Sequence, residues 1–122
     1  PDLTSKWKQS SVNPFTFTEG SKDKRKVWDV KEITNAAELF DEGKSMHHCV
    51  YSYLHSCIKG SCSIFSLRLF GVSVVTIEVR EYKAVQIRGY RNQRPTDKEI
   101  QVINDWAKKE LIEITKYAIA GR

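Results

Sequence analysis

The stretch that decides the fold is CSIFSLRLFGVSVVTIEVREYKAVQIR, residues 62–88. It is rich in β-branched residues, alternates between apolar and polar side chains, and is interrupted at Gly71 and at Glu81-Tyr82. This pattern predicts three strands, at residues 62–69, 72–80 and 83–88. Because the connections between them are short, we expect the strands to form an antiparallel meander.

The two faces of the predicted meander differ in chemistry. One face is apolar and is expected to pack on helices. If each hairpin loop has an odd number of residues, Glu78 lies opposite Gln86 and Thr76 lies opposite Arg88. The polar face is then either an exposed ladder of ion pairs or the floor of a pocket under a helix. It gathers Ser66, Arg68, Thr76, Glu78, Gln86 and Arg88.

Helices are predicted on either side of the meander in the chain. Asn35 and Glu38 predict a short helix that ends at Gly43. Ser45 is expected to cap a second helix over residues 46–58. Thr96 begins a capping box and a long C-terminal helix that extends to about residue 118. The order predicts an α+β fold, with the three-stranded meander packed on one face by helices and closed by the long C-terminal helix.

Length and composition limit the class of protein. A chain of 122 residues with 40% hydrophobic and 11% aromatic residues forms one modest core and is not wholly disordered. Residues 1–26 are polar, with a charged run at 22–26, and are predicted to be a partly disordered or loosely docked lead-in. Residues 27–122 are predicted to form a single domain, with a short strand at 27–30. No apolar run approaches about 18 residues, so we expect no membrane insertion.

The cysteines bear on location and chemistry. Cys49, Cys57 and Cys62 are an odd number, which favours free thiols and a cytoplasmic protein. In the predicted second helix, Cys49 falls in the first turn next to His48. There the helix dipole lowers a thiol pKa and favours a nucleophile. Alternatively, Cys49 lies on the buried stripe as a small hydrophobe. No CxxC or HxxxH pair is present, so we expect no metal and no cofactor.

A basic loop precedes the C-terminal helix and accounts for part of the net charge of +5. It holds Tyr90 and, together with the end of the third strand, supplies Arg88, Arg91 and Arg94. Arginine is suited to bidentate phosphate contacts, so these three residues are predicted to contact DNA or RNA. An ordinary exposed loop is the alternative.

From Leu39 to Trp106 the chain resembles the PcfJ-like family, proteins of bacterial conjugative plasmids, integrative elements and phages. The matching segments are EGKSMHHCV at 42–50, IFSLR at 64–68, TIEV at 76–79 and QIRGYRN at 86–92. The resemblance implies the C-terminal domain of a longer protein, placed beside DNA-transfer and replication functions, and it names no reaction. The positions carried over are His48, Cys49, Tyr53, Arg68, Glu78, Gln86, Arg88 and Asn92.

Three functional hypotheses follow from these observations. The first is a nucleic-acid-associated domain of a mobile element. The second is an enzyme in which His48, Cys49 and Glu78 are catalytic above a polar face of Tyr53, Ser66, Arg68, Thr76, Gln86, Arg88 and Asn92. The third is a module that binds other mobile-element proteins in a conjugation or replication complex.

Overall fold

A computed structural model describes residues 2–119 of the chain. Three short 3-10 segments, Lys22–Lys24, Tyr51–Tyr53 and Tyr90–Asn92, lie between the main elements. The helices and strands, in chain order, are β1 Phe15–Glu19, β2 Lys26–Ile33, α1 Ala36–Met46, α2 Leu54–Lys59, β3 Ser63–Leu69, β4 Val72–Arg80, β5 Lys83–Gly89, α3 Asp97–Lys109 and β6 Glu113–Ile114.

The described residues form one six-stranded mixed sheet in the order β1-β2-β3-β4-β5-β6. The four pairs from β1–β2 to β4–β5 are antiparallel, and β6 pairs with β5 in parallel. The predicted strands are found as β3, β4 and β5, but the prediction of a three-stranded meander is wrong. The segment 15–33 adds a hairpin to one edge, and β6 adds two residues to the other.

Helices cover both faces of the sheet, which corrects the expectation of one covered face. Neighbouring residues of β3 show this, because successive side chains of a strand point to opposite faces. Phe65 packs with Trp106 of α3, with ring centroids 4.9 Å apart. Ile64 packs in a second apolar cluster with Leu39 of α1 and Cys57 of α2. The sheet is therefore the middle layer between α3 and the α1–α2 pair.

The caps at Asn35 and Thr96 are confirmed, but the cap at Ser45 is wrong, because Ser45 lies within α1, and the predicted helix ends are also wrong. The Asn35 side chain accepts from the Glu38 N–H at 2.8 Å, and Thr96 and Glu99 form the predicted capping box. Helix α1 does not end at Gly43. It continues to Met46, because this residue is buried on the same face as Leu39, seven positions earlier.

The predicted helix over residues 46–58 is therefore wrong in its first half. His47 takes a left-handed conformation, with φ of 52°, and ends α1. Residues 48–50 form an open connection before the short helix α2. At the other end of the chain, α3 ends at Lys109 rather than near residue 118, and β6 follows. Within residues 2–119, no helix combines the length and apolar character needed to cross a membrane.

The strand register was predicted correctly for the wrong reason. Thr76 lies opposite Arg88, and Glu78 lies opposite Gln86. The hairpin turns, however, contain two residues each, Phe70-Gly71 and Glu81-Tyr82, all with positive φ as primed turns require. A β-bulge in each hairpin, at positions 74 and 85, adds the extra residue that restores the alternation.

We expect Trp106→Ala to lower the free energy of unfolding by about 3–5 kcal/mol, because a fully buried aromatic ring is lost. The substitution also removes the hydrogen bond from Trp106 Nε1 to the Asn13 carbonyl, 3.1 Å long, which ties α3 to the segment before β1. Urea unfolding followed by circular dichroism measures the change. Tyr117→Ala, at an exposed aromatic residue, is the matched control and should change stability little. Equal losses in the two variants would contradict this account of the core.

Candidate functional site

A cavity of about 150 Å³ lies between the sheet and the connection that follows α1. Its floor comes from β3, β4 and β5, and its walls come from residues 48–53 and from the loop after β5. Eight residues that the sequence singled out are brought together there, with Val50 and Ile64 as apolar neighbours. The eight are His48, Cys49, Tyr53, Thr76, Glu78, Gln86, Arg88 and Asn92.

The floor depends on the pairing of β4 with its neighbours. Glu78 lies between Ile64 of β3 and Gln86 of β5, so one apolar and one amide side chain flank its carboxylate. Glu78 is only 8% exposed. That burial fits the floor of a pocket and not an exposed ladder. Its ion pair is with Arg80, at 2.6 Å, and not with Arg68 or Arg88.

Tyr53 joins the helical layer to the floor. Its hydroxyl donates a hydrogen bond to Gln86 Oε1. Burial raises the pKa of Tyr53, and the negative charge of Glu78 raises it further. The phenol therefore keeps its proton at neutral pH and acts as a hydrogen-bond donor inside the cavity.

The position of Cys49 differs from both interpretations of the sequence. Because α1 ends at Met46, with His47 as its C-cap, Cys49 follows the C-terminus of a helix and does not lie in the first turn of one. The predicted activation by a helix N-terminus is therefore wrong. The side chain is also exposed, not part of the core. Cys49 lines the cavity as an accessible thiol.

His48 is half-buried at the cavity wall. Burial lowers its pKa from the usual 6.5, and the negative charge of Glu42 opposes this shift in part. The imidazole is therefore mainly neutral at pH 7. Its Nε2 atom is buried, and among the described residues it has no hydrogen-bond partner. His48 thus has a buried ring nitrogen whose hydrogen-bonding capacity the described residues leave unused.

Arg88 supplies the positive charge of the cavity. Its Nη1 donates to the Ala118 carbonyl at 2.6 Å and to the Ile87 carbonyl at 3.2 Å. The guanidinium is thus anchored by the segment that follows β6. Arg91 and Arg94 are exposed, so the three arginines predicted to act together occupy two different environments.

Ser66 and Arg68 do not line the cavity but belong to a polar cluster behind it. The centre of this cluster is Glu42 of α1, which is 2% exposed. Its carboxylate accepts from Ser66 Oγ at 2.9 Å, from Ser73 Oγ at 2.7 Å, and from the Thr76 hydroxyl. Arg68 Nε donates to Ser66 Oγ at 3.3 Å. Thr76 therefore connects this cluster to the cavity floor.

Glu42 is the residue of this region that the sequence analysis missed. Its signal was present, because Glu42 lies three positions after Leu39 and four before Met46 on the buried face of α1. An acidic residue at a core position of a helix requires internal hydrogen-bond donors. The hydroxyl-bearing residues of β3 and β4 are those donors.

An exposed ledge borders the cavity and consists of His47, Tyr90 and Arg91. The rings of His47 and Tyr90 have centroids 4.9 Å apart, and the Arg91 guanidinium carbon lies 5.4 Å from the Tyr90 centroid. His47, Arg91 and Asn92 have positive φ angles of 52°, 54° and 61°. Left-handed conformations of non-glycine residues cost free energy and cluster at functional sites.

The described residues of this region do not form a set of metal ligands. Among residues 2–119, no group of three or more histidine, cysteine, aspartate or glutamate side chains is arranged to hold a metal ion. The cavity is instead a mixture of neutral and charged hydrogen-bonding groups.

We expect Glu42→Ala to lower the free energy of unfolding by about 2–3 kcal/mol, because the hydroxyls of Ser66, Ser73 and Thr76 lose their acceptor. Urea denaturation measures the loss. Asp41→Ala removes the adjacent exposed carboxylate of the same helix and should be nearly neutral. If the two variants were equally stable, the Glu42 cluster would not have the structural role assigned to it.

His48 should make stability depend on pH. The pKa of His48 is lower in the folded protein than in the unfolded chain, so in the window below about pH 6.5 the unfolded chain binds more protons. Stability should therefore fall on acidification through this window, and His48→Gln should remove that part of the loss. Urea unfolding at several pH values tests this, with His55→Gln at an exposed histidine as control. Identical pH profiles for wild type and His48→Gln would contradict it.

Comparison with known proteins places the chain in a family. A family model described as PcfJ-like protein matches residues 8–103. The chain is 32% identical over 77 residues to the uncharacterized protein Lin1253/Lin1744 of Listeria innocua serovar 6a (strain ATCC BAA-680 / CLIP 11262). This match covers 59% of the chain but 17% of that relative, so the chain spans less than a fifth of its length. No solved structure matches. Since the family model covers most of the chain, including every residue that lines the cavity, the chain belongs to the PcfJ-like family.

Proposed function

We propose that this domain binds single-stranded nucleic acid on the His47-Tyr90-Arg91 ledge and admits one base into the adjoining cavity. One observation carries the proposal: the same two loops build both features. His47 lies on the ledge while His48 and Cys49 line the cavity, and Tyr90 and Arg91 lie on the ledge while Asn92 lines the cavity.

The ledge has the chemistry of a stacking platform. Tyr90 is 44% exposed, and the Arg91 guanidinium lies beside the Tyr90 ring. Proteins that bind single strands combine aromatic faces for the bases with cations for the backbone. Arg94, exposed three residues along the loop, adds a second cation for phosphate.

The cavity has groups that complement the edge of a base. Gln86 and Asn92 each carry an amide donor and acceptor, Arg88 adds donors, and Glu78 adds an acceptor. Enzymes that extrude a base read it with such hydrogen bonds in an enclosed pocket. A cavity of about 150 Å³ accommodates a six-membered ring.

The net charge and the family support the same proposal. A charge of +5 favours association with a polyanion. The placement beside DNA-transfer functions, which the resemblance to PcfJ-like proteins implies, would bring single strands within reach of the domain. Membership of a mobile element is itself part of this proposal.

We expect Tyr90→Ala to weaken binding to a labelled mixed-sequence single-stranded oligonucleotide about tenfold or more, since a stacked base contributes about 1–3 kcal/mol. Fluorescence anisotropy at low salt, with DNA and with RNA, measures the affinity. Tyr117→Ala, at an exposed aromatic residue with a neighbouring lysine, is the matched control.

Arg91→Ala should reduce the slope of log affinity against log salt by about 0.7, as expected for one phosphate contact on a single strand. Arg25→Ala removes an exposed arginine before β2 and should leave the slope unchanged. Absence of binding by the wild-type protein at low salt would overturn the proposal. That result would favour the alternative of a module that binds other mobile-element proteins.

A second candidate function is acid–base catalysis on the bound nucleotide. The observation that favours it is a mainly neutral His48 that lines the same cavity as Glu78 and Cys49. A neutral imidazole acts as a general base near pH 7. Incubation of the wild-type protein with an end-labelled oligonucleotide, followed by mass analysis, tests for a product. Product formation that His48→Gln abolishes while binding persists would support catalysis, and no product from wild type would contradict it.

A further inference from the structure

We propose that Cys57 and Cys62 are a site of oxidative modification, at which a peroxide converts the two thiols into an intramolecular disulfide. This inference does not rest on the proposed function. The two Sγ atoms lie 3.8 Å apart. A disulfide bond is about 2.05 Å long, so closure requires the sulfurs to approach by less than 2 Å.

The backbone around the pair is compact. Cys57 lies in the last turn of α2, and the chain then reverses through Gly60, whose φ is 78°. The N–H groups of Ser61 and Cys62 both donate to the Ser56 carbonyl, at 2.9 and 3.3 Å. Gly60 has open space on the side where a Cβ would stand. A six-residue helix that ends in such a turn can shift by the small distance needed.

The two thiols are not equivalent. A hydrogen bond joins the two sulfurs. This contact lowers the pKa of Cys62 against the opposing effect of burial, and the Arg80 guanidinium lowers it further. The same hydrogen bond and burial raise the pKa of Cys57. The nearby Arg80 guanidinium favours Cys62 as the thiolate that attacks the peroxide, and Cys57 is then the resolving thiol.

Oxidation of the two thiols to a disulfide consumes one molecule of hydrogen peroxide. The Cys62 thiolate attacks one peroxide oxygen, the O–O bond breaks, and Cys62 becomes a sulfenic acid as hydroxide leaves. The Cys57 sulfur then attacks the Cys62 sulfur, the S–O bond breaks, and the S–S bond forms. With hydrogen peroxide, the two thiol protons and the two oxygens and two hydrogens of the peroxide leave as two molecules of water. The thiols lose two electrons, and a dithiol reductant reverses the change.

The pair lies against the cavity wall. Cys57 and Cys62 belong to the same apolar cluster as Val50 and Ile64, with Tyr53 packed against it, and these three residues line the cavity. Both thiols are buried, whereas Cys49 is exposed. Access of a small oxidant to the pair therefore requires local opening of α2, and larger thiol reagents should react first with Cys49.

The test uses the full chain with Cys49→Ser, in which only Cys57 and Cys62 remain. Dilute folded protein is treated with hydrogen peroxide, alkylated under denaturing conditions and digested with trypsin. Cleavage after Lys59 places Cys57 in the peptide 45–59 and Cys62 in the peptide 60–68. We expect these peptides to be joined, with a mass about 2 Da below their sum, and to separate after reduction.

Matched variants distinguish this site from general oxidation. Adding Cys57→Ser or Cys62→Ser to Cys49→Ser should abolish the linked peptides, and Cys62→Ser should also abolish the sulfenic acid that a dimedone probe detects. The proposal is overturned if folded Cys49→Ser keeps both thiols alkylatable at peroxide concentrations that oxidise Cys49 in the wild type. It is also overturned if the linked peptides form only after urea unfolds the chain.

Discussion

The register of β4 is the constraint on which the rest of the structure depends. β4 is an inner strand with a helical layer on each side, so its successive side chains face alternate layers. Val75 and Ile77 are part of the core under α3, while Thr76 and Glu78 form the cavity floor. A shift by one residue would exchange these sets and bury carboxylate against the α3 core. The two β-bulges prevent this shift while the hairpin turns remain tight.

The second constraint is the burial of two carboxylates on the same side of the sheet. Buried charge is tolerated when hydrogen bonds or an opposite charge compensate for lost water. Glu42 is satisfied by hydroxyls from β3 and β4, and Glu78 by the guanidinium of Arg80. The surroundings of the two carboxylates differ. Glu42 is buried among hydroxyl groups, whereas Glu78 lines the cavity. Glu42 therefore ties α1 to β3 and β4, whereas Glu78 lies at the floor of the cavity.

Local patterns predicted the central part of the fold and the four strand residues that line the cavity, Thr76, Glu78, Gln86 and Arg88. Strands β3 to β5 and the caps at Asn35 and Thr96 were visible because alternation and capping act over a few residues. The grouping of Glu78 with Gln86, and of Thr76 with Arg88, followed from alternation alone. The sequence did not predict that the hairpin β1–β2 belongs to the sheet. Strand β2 pairs with β3, which lies more than 30 residues later in the chain, and short-range patterns do not report such a contact. The predicted end of α1 at Gly43 is wrong, because burial of Met46 stabilises the helix beyond this glycine.

The anchoring of Arg88 has a consequence for the order in which the molecule is completed. The Ala118 carbonyl accepts from the Arg88 side chain and from the Ile87 N–H, so one backbone oxygen near the end of the described chain fixes both β5 and the cavity cation. During synthesis, residues 48–92 emerge before this oxygen does. The cavity walls can therefore assemble early, but the cation gains its anchor only when residue 118 has left the ribosome. The position of the cavity cation is therefore set by the packing of the segment after β6 together with β5, and not by the strand that carries Arg88 alone.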